Sequence, residues 1–214
     1  MTLMVDLAGL VANALADAGM VTYTAAADIY PALIEADKAI LLVRPDVNTE
    51  TKIVECVAGT RQSIAAADLR LIDVKCNLHT DSTERSDVRR MKPQNLPRNW
   101  RTKTQVDEIE GYLFDDRDPK IFETFPPIKA GRKLRVVTSV PFAAYGTIGG
   151  STESKLPQPY DVAKVEWALY RCFSRDNSPL ASRAITHLQV FQSLLGIKEI
   201  RDAKASPKAG HQET

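Results

Sequence analysis

Apolar positions recur at helical spacing near both ends of the chain and at strand spacing between them. Asp6 to Ala18 reads as a short helix that Gly19 would close as a C-terminal cap. A second helix is predicted from Thr24, a suitable N-cap, to about Arg44. Its residues Ile29, Leu33, Ala36, Ile40 and Val43 follow one another at intervals of four, three, four and three, which is one helical face. Pro31 lacks a backbone donor, so the helix either begins near Tyr30 or kinks there. Arg44 precedes Pro45 and is pushed out of the α region, which ends the helix.

Between Thr51 and Val140 the period shortens. Thr51–Val57, Gln62–Ile64, Leu69–Leu78, Ile109–Phe114, Lys120–Phe125 and Lys133–Val140 are rich in Val, Ile, Leu, Phe and Thr. Turn formers separate several of them: Ala58-Gly59-Thr60, Asp115 to Pro119, and Lys129-Ala130-Gly131. Asp87–Met91 is a further short candidate. Short strands with tight connections predict an antiparallel module, either a sandwich or a small barrel.

The stretch 141–159 holds three prolines and three glycines and reads as a linker. Helical spacing then returns. Tyr160 to Asp176 carries Val162, Val165, Leu169, Cys172 and Phe173 on one side. Ser178 and Pro179 suit an N-cap and first helical position. The helix they open carries Leu180, Ala184, Leu188, Phe191 and Leu195 and is expected to end at Gly196. A polar tail, Ile197 to Thr214, completes the chain and has too few large apolar residues to fold alone.

Neither helix pair can bury its apolar face by itself. The expected fold is therefore α+β, a four-helix bundle made from both chain ends with an inserted antiparallel β module. The corresponding boundaries are 1–48 and 157–196 for the bundle, 49–142 for the β domain, 143–156 for a linker and 197–214 for an extended tail.

Composition narrows the function. Of 214 residues 44% are hydrophobic, which suits a globular chain, and 28 basic against 27 acidic residues leave a net charge of +1. A dedicated nucleic-acid binder would carry a clear basic excess. No targeting or membrane segment is legible. Cys56, Cys76 and Cys172 are odd in number and widely spaced, as expected of reduced thiols in a cytoplasm.

Candidate chemistry is sparse. His79, His187 and His211 have no partner at metal-ligand spacing. The Asp115–Pro119 cluster departs from a calcium-loop pattern and suits a hairpin turn. Gly146 to Ser151 lacks the spacing of a phosphate loop and reads as flexible connection. No nucleophile sits beside a plausible base, so no catalytic, cofactor or metal residue is assigned and the chain is expected not to be an enzyme. The best charged feature is Asp81 to Gln105, where seven basic residues face three acidic ones, a local +4. Arg85, Arg89, Arg90, Arg98, Trp100 and Arg101 form a patch that faces DNA or a partner, with Trp100 free to stack on a base. The alternative is a solvated loop whose Trp100 packs back onto the β module.

An ordered series of segments carries a resemblance. Tyr30-Pro31-Ala32-Leu33-Ile34-Glu35-Ala36 is followed by Ala39 to Asp46, then Val57-Ala58-Gly59-Thr60-Arg61-Gln62. Tyr112-Leu113-Phe114-Asp115 with Asp118-Pro119-Lys120 comes next, and last Ala168-Leu169-Tyr170-Arg171 with Ser174-Arg175-Asp176. Over roughly residues 29 to 196 the chain resembles the head-to-tail adaptor proteins of tailed bacteriophages, including the podovirus tail tubular protein A group. The resemblance implies a structural virion protein, assembled in the host bacterial cytoplasm and seated at the head–tail junction. It implies a homo-oligomeric ring, commonly twelve-fold, that joins the portal protein to a tail nozzle or tail tube protein. Genomic DNA would pass through it without sequence recognition. The tail, with Ile197, Ile200, Arg201, Lys204 and Lys208, would dock on the portal. From the residues alone, a nucleic-acid-binding accessory protein using 85–103 stays open as the alternative.

Overall fold

The computed structural model describes residues 2–17, 19–175 and 181–205, with the backbone alone for Ala181 and residues 197–205. The chain divides into two compact units. One is Pro45–Pro141, and the other joins Met1–Arg44 to Phe142–Thr214. The architecture is α+β, with four α-helices and two four-stranded sheets among the described residues. The sheets do not close into a barrel, so the sandwich alternative holds and the barrel does not.

In the helical unit, α1 spans Met4–Ala14 and buries Met4, Leu7, Ala8, Val11 and Ala12, a single stripe facing inward. It ends earlier than the sequence suggests, and Gly19 is not its cap. The amide of Ala16 donates to the Asn13 carbonyl (3.1 Å) and that of Asp17 to the Ala12 carbonyl (2.9 Å), with Ala16 left-handed at φ 56°. These two bonds close the helix around Ala16, which takes the place a glycine usually fills. Asp17 then organises the connection, its carboxylate accepting from the amides of Val21 (3.0 Å), Thr22 (2.9 Å) and Tyr23 (2.8 Å).

Thr24 is the expected cap. Its hydroxyl accepts from the Ala27 amide, while its own amide donates to Asp28 at 2.9 Å. Pro31 is accommodated by one wide turn, Ala25–Ile29, in which the Tyr30 amide reaches back five residues to the Ala25 carbonyl. The α-helix proper, α2, is Tyr30–Val43. Ile29, Leu33, Ala36 and Ile40 are buried as the spacing predicts, while Val43 is exposed. Helix α3 is Asp161–Arg175. Leu169, Cys172 and Phe173 enter the core with α1 and α2, but Val162 faces out.

Helix α4 is Ala181–Ala205, and it passes through Gly196 without a break. A glycine inside a helix costs about 1 kcal/mol relative to alanine, too little to stop it. The residues beyond are good helix formers, so the segment read as an extended tail begins as two more helical turns. Ala184, Phe191 and Leu195 are buried as expected. Ser178, Pro179 and Leu180 lie outside the described residues, as do His211 and Lys208. Residues 143–156, read as a flexible linker, are pinned to the helical unit. The Met4 amide donates to the Thr152 carbonyl, the Ser154 amide to the Thr2 carbonyl, and Leu156 is fully buried.

In the β unit, one sheet has the order β1-β8-β3-β4 and the other β2-β7-β6-β5. The strands are β1 Thr49–Glu55, β2 Gly59–Ser63, β3 Arg70–Leu78, β4 Glu84–Asp87, β5 Arg89–Arg90, β6 Gly111–Phe114, β7 Ile121–Ile128 and β8 Lys133–Ser139. All pairs are antiparallel except β5 with β6. Leu71, Val74, Leu134 and Val136 of one sheet meet Tyr112, Phe122 and Ile128 of the other in a common core. Each such side chain contributes about 1.5–3 kcal/mol by leaving water.

Polar side chains lock the module. Buried Asn77 exchanges two bonds of 2.9 Å with the backbone of Ile109, tying β3 to the approach of β6. The Gln62 amide likewise closes the β1–β2 turn on both backbone groups of Val57, each at 2.9 Å. Asp115–Pro119 is the hairpin turn between β6 and β7, with the Arg117 amide donating to Asp115. The strand expected to stop at Phe125 runs on through Pro126 and Pro127, because the β2–β7 register shifts there and no ladder donor is required of them.

Candidate functional site

The segment from β4 to Lys103 crosses from one sheet to the other and then folds along the outer face of β6 and β7. Gly111 permits the crossing. A Cβ there would lie 2.7 Å from the Arg89 carbonyl and from the Met91 side chain.

Trp100 is only 6% exposed and packs with Leu113 and Phe125. Its ring meets Phe125 edge-on at 6.3 Å. The Arg101 guanidinium covers its open side 4.4 Å from the ring centre, and is itself held by the Glu123 carboxylate through bonds of 3.0 and 2.7 Å. That fork also keeps Arg101 protonated above its usual range. The ring therefore packs back onto the β module, one of the two readings the sequence left open, and is not free to stack on a base.

The remaining basic residues divide. Arg85 pairs with Glu108 at 2.5 Å. The Arg90 guanidinium lies 5.4 Å from the Phe114 ring centre, and Arg70 covers the same ring at 5.5 Å. Arg89, Arg90 and Arg98 are exposed. Beside them is a groove of about 500 Å³ whose apolar floor includes Met91 and Leu113, with Arg61, Arg101, Asp116 and Glu123 along its walls. The patch is thus a mixed-charge surface on an aromatic support.

A second cluster escaped the sequence reading. Inside the helical unit, Lys164 of α3 lies 2.7 Å from the Asp37 carboxylate of α2 and donates to the Ser154 hydroxyl at 2.8 Å. The Tyr145 hydroxyl donates to Asp37 at 2.6 Å and accepts from the Lys155 amide at 3.0 Å. Burial, aided by the Asp37 charge, pushes the Tyr145 phenol far above its usual range. Asp37, Ser154 and Lys164 are buried and Tyr145 half-buried, and the cluster holds α2, α3 and the 143–156 segment together.

The cysteines are free and buried, and burial pushes the Cys56 thiol up to about 12 and that of Cys172 to about 11. At neutral pH they are poor nucleophiles. His187 lies against Glu166 at 2.7 Å and stacks on Phe173, a pairing within the helical unit. Among the described residues no group of His, Cys, Asp or Glu side chains is arranged to hold a metal ion, and no helix is long and apolar enough to cross a membrane.

The sequence matches the family model of the SU10 adaptor protein over residues 2–210, and the chain belongs to that family. The family is one of phage head-to-tail adaptors, and its members are structural. No curated protein matches the sequence.

Proposed function

We propose that this phage adaptor forms a ring, commonly twelve-fold, that joins the portal protein to a tail nozzle or tail tube protein and lines the channel for genomic DNA. The observation that carries the proposal is the family match across nearly the whole chain. The helical unit, built from both ends of the chain, serves as a four-helix bundle and supplies lateral surfaces for neighbouring copies. The β unit reaches toward the tail. Ile197, Ile200, Arg201 and Lys204, on the last turns of α4, dock on the portal together with Lys208. Arg89, Arg90 and Arg98 face passing DNA or a partner. The protein is assembled in the bacterial cytoplasm and resides at the virion head–tail junction.

The decisive experiment mixes the purified full-length protein with portal particles and images them by negative stain. An added ring of density beneath each portal supports the proposal, and its loss on truncation after Gly196 supports the docking role of the tail. Portal particles that stay bare while the adaptor remains monomeric would end it. Exposed Arg89, Arg90 and Arg98 favour a second reading, a nucleic-acid-binding accessory protein; low-salt DNA binding without any portal binding would favour it over the first.

A further inference from the structure

We propose that the two lateral flanks of the β sandwich are complementary and join successive copies of this chain head to tail, the acidic β1–β2 flank of one against the basic β4–β5 flank of the next. The inference rests on the ring reading above and assigns its β-unit interface.

The topology defines the flanks. β1 and β2 head the two sheet orders and are joined by only three residues, so their free edges lie on one side. β4 and β5 end the two orders and are joined by Val88 alone, so their edges lie on the other side. Among the described residues, no further strand closes either flank.

The β1 edge is open by register. At its two ends the Asn48 carbonyl accepts from the Val140 amide at 3.0 Å, and the Cys56 amide donates to the Arg132 carbonyl at 2.7 Å. The pairing between them is unbroken. An antiparallel ladder alternates, so even-numbered residues bond to β8 while Thr49, Thr51, Ile53 and Glu55 turn their peptide groups to the free edge. Ile53 is 49% exposed and Val57 61%, apolar area beside an unpaired edge that a chain otherwise has reason to cover. On the other flank, the Arg89 amide donates to the Glu110 carbonyl just before β6 and the Met91 amide to the Tyr112 carbonyl within it, which turns the Arg90 peptide outward.

Charge selects the occupant. Around β1 stand Glu50, Glu55 and Asp68 against Lys52, and Lys52 is already shared between Glu50 and Asp68. Arg61 on β2 is balanced by Asp118. Around β4 and β5, Glu84 pairs with Arg135 and Arg85 with Glu108. Exposed Arg89, Arg90 and Lys92, of which Arg90 lies over Phe114, then outnumber Asp87 and Glu110. One flank is thus net negative and the other net positive. Because opposite flanks of the same molecule match, the contact is heterologous and repeats from copy to copy until it closes.

The test uses charge reversal in the full-length protein, followed by sedimentation at low salt. The Glu50→Lys/Glu55→Lys variant places positive charge on both flanks, and Arg89→Glu/Arg90→Glu places negative charge on both. Each alone should shift self-association to at least ~10-fold higher concentration. A one-to-one mixture should restore it, since each variant then meets its complement on both sides; that recovery also requires both to be folded. Two variants that associate like the native chain, or a mixture that fails to recover, would overturn the flank assignment while the native multimer upheld the ring. A native chain that stays monomeric both alone and with portal would overturn the ring and this inference together.

Discussion

The Lys164 ammonium lies 2.7 Å from the Asp37 carboxylate, with 0% and 1% of the two residues exposed to solvent. The pair bridges α2 and α3 in the interior, and Ser154 and Tyr145 supply further bonds. Removing one partner strands the other as a buried charge, so Asp37→Ala should cost about 3–5 kcal/mol. Replacing both with apolar residues of similar size, Asp37→Leu with Lys164→Met, should recover most of that loss. Urea denaturation of the two variants checks it. A single variant as stable as the native protein would show that the pair is solvated.

Ala16 is a second point of leverage, because it holds a left-handed backbone at φ 56° that costs an L-residue roughly 1–2 kcal/mol. Glycine there relieves the strain but adds freedom to the unfolded chain, worth about 0.4–1 kcal/mol. Ala16→Gly should therefore stabilise the protein by about 0.5–1 kcal/mol. The shift in urea midpoint measures it, and a lower midpoint would refute the helix-end geometry.

Both sites show why some of the structure was legible in the sequence and some was not. The stripe Ile29, Leu33, Ala36 and Ile40 announces the buried face of α2 because burial alone sets it. Asp37 shares that stripe, four residues from Leu33 and three from Ile40, and Lys164 likewise stands four before Ala168 and eight before Cys172. Each charge looks like an error in its own helix and makes sense only with the other, a pairing across more than a hundred residues that no local period encodes. Gly19 misled for a related reason. A glycine commonly marks a helix end, but here two hydrogen bonds back to Ala12 and Asn13 select Ala16 instead. Trp100 among arginines allowed both stacking on a base and packing on the β module, and the choice was not legible because Leu113 and Phe125, on strands that follow it, set its environment.

Trp100 accordingly separates structure from binding. Trp100→Ala empties a packed site and should destabilise the protein by about 3 kcal/mol. Arg89, Arg90 and Arg98 changed together to alanine should leave stability nearly unchanged and reduce any low-salt DNA binding, with a shallower salt dependence. Denaturation and DNA mobility measured on both variants distinguish the roles. Lost DNA binding in a Trp100 variant that keeps its stability would restore the ring as a contact.

Asp17 gives the protein a defined acid response. Three backbone amides, the Tyr23 bond foremost, hold its carboxyl below the ordinary value of 3.8. A depressed folded-state pKa contributes stability that is present above the unfolded value and lost as pH falls through the folded one. The side chain stands at the surface, so water screens part of the effect. Asp17→Asn keeps one acceptor and removes the charge, so it should be less stable than the native chain at pH 7. The gap should narrow only below about pH 4, where the unfolded chain's carboxyl takes up its proton first, and close as the folded one follows at lower pH. Urea midpoints of both proteins between pH 7 and pH 2 follow this directly. A gap that stays constant across that range would mean that the charge itself contributes nothing and that the connection after α1 depends on the shape of the side chain alone.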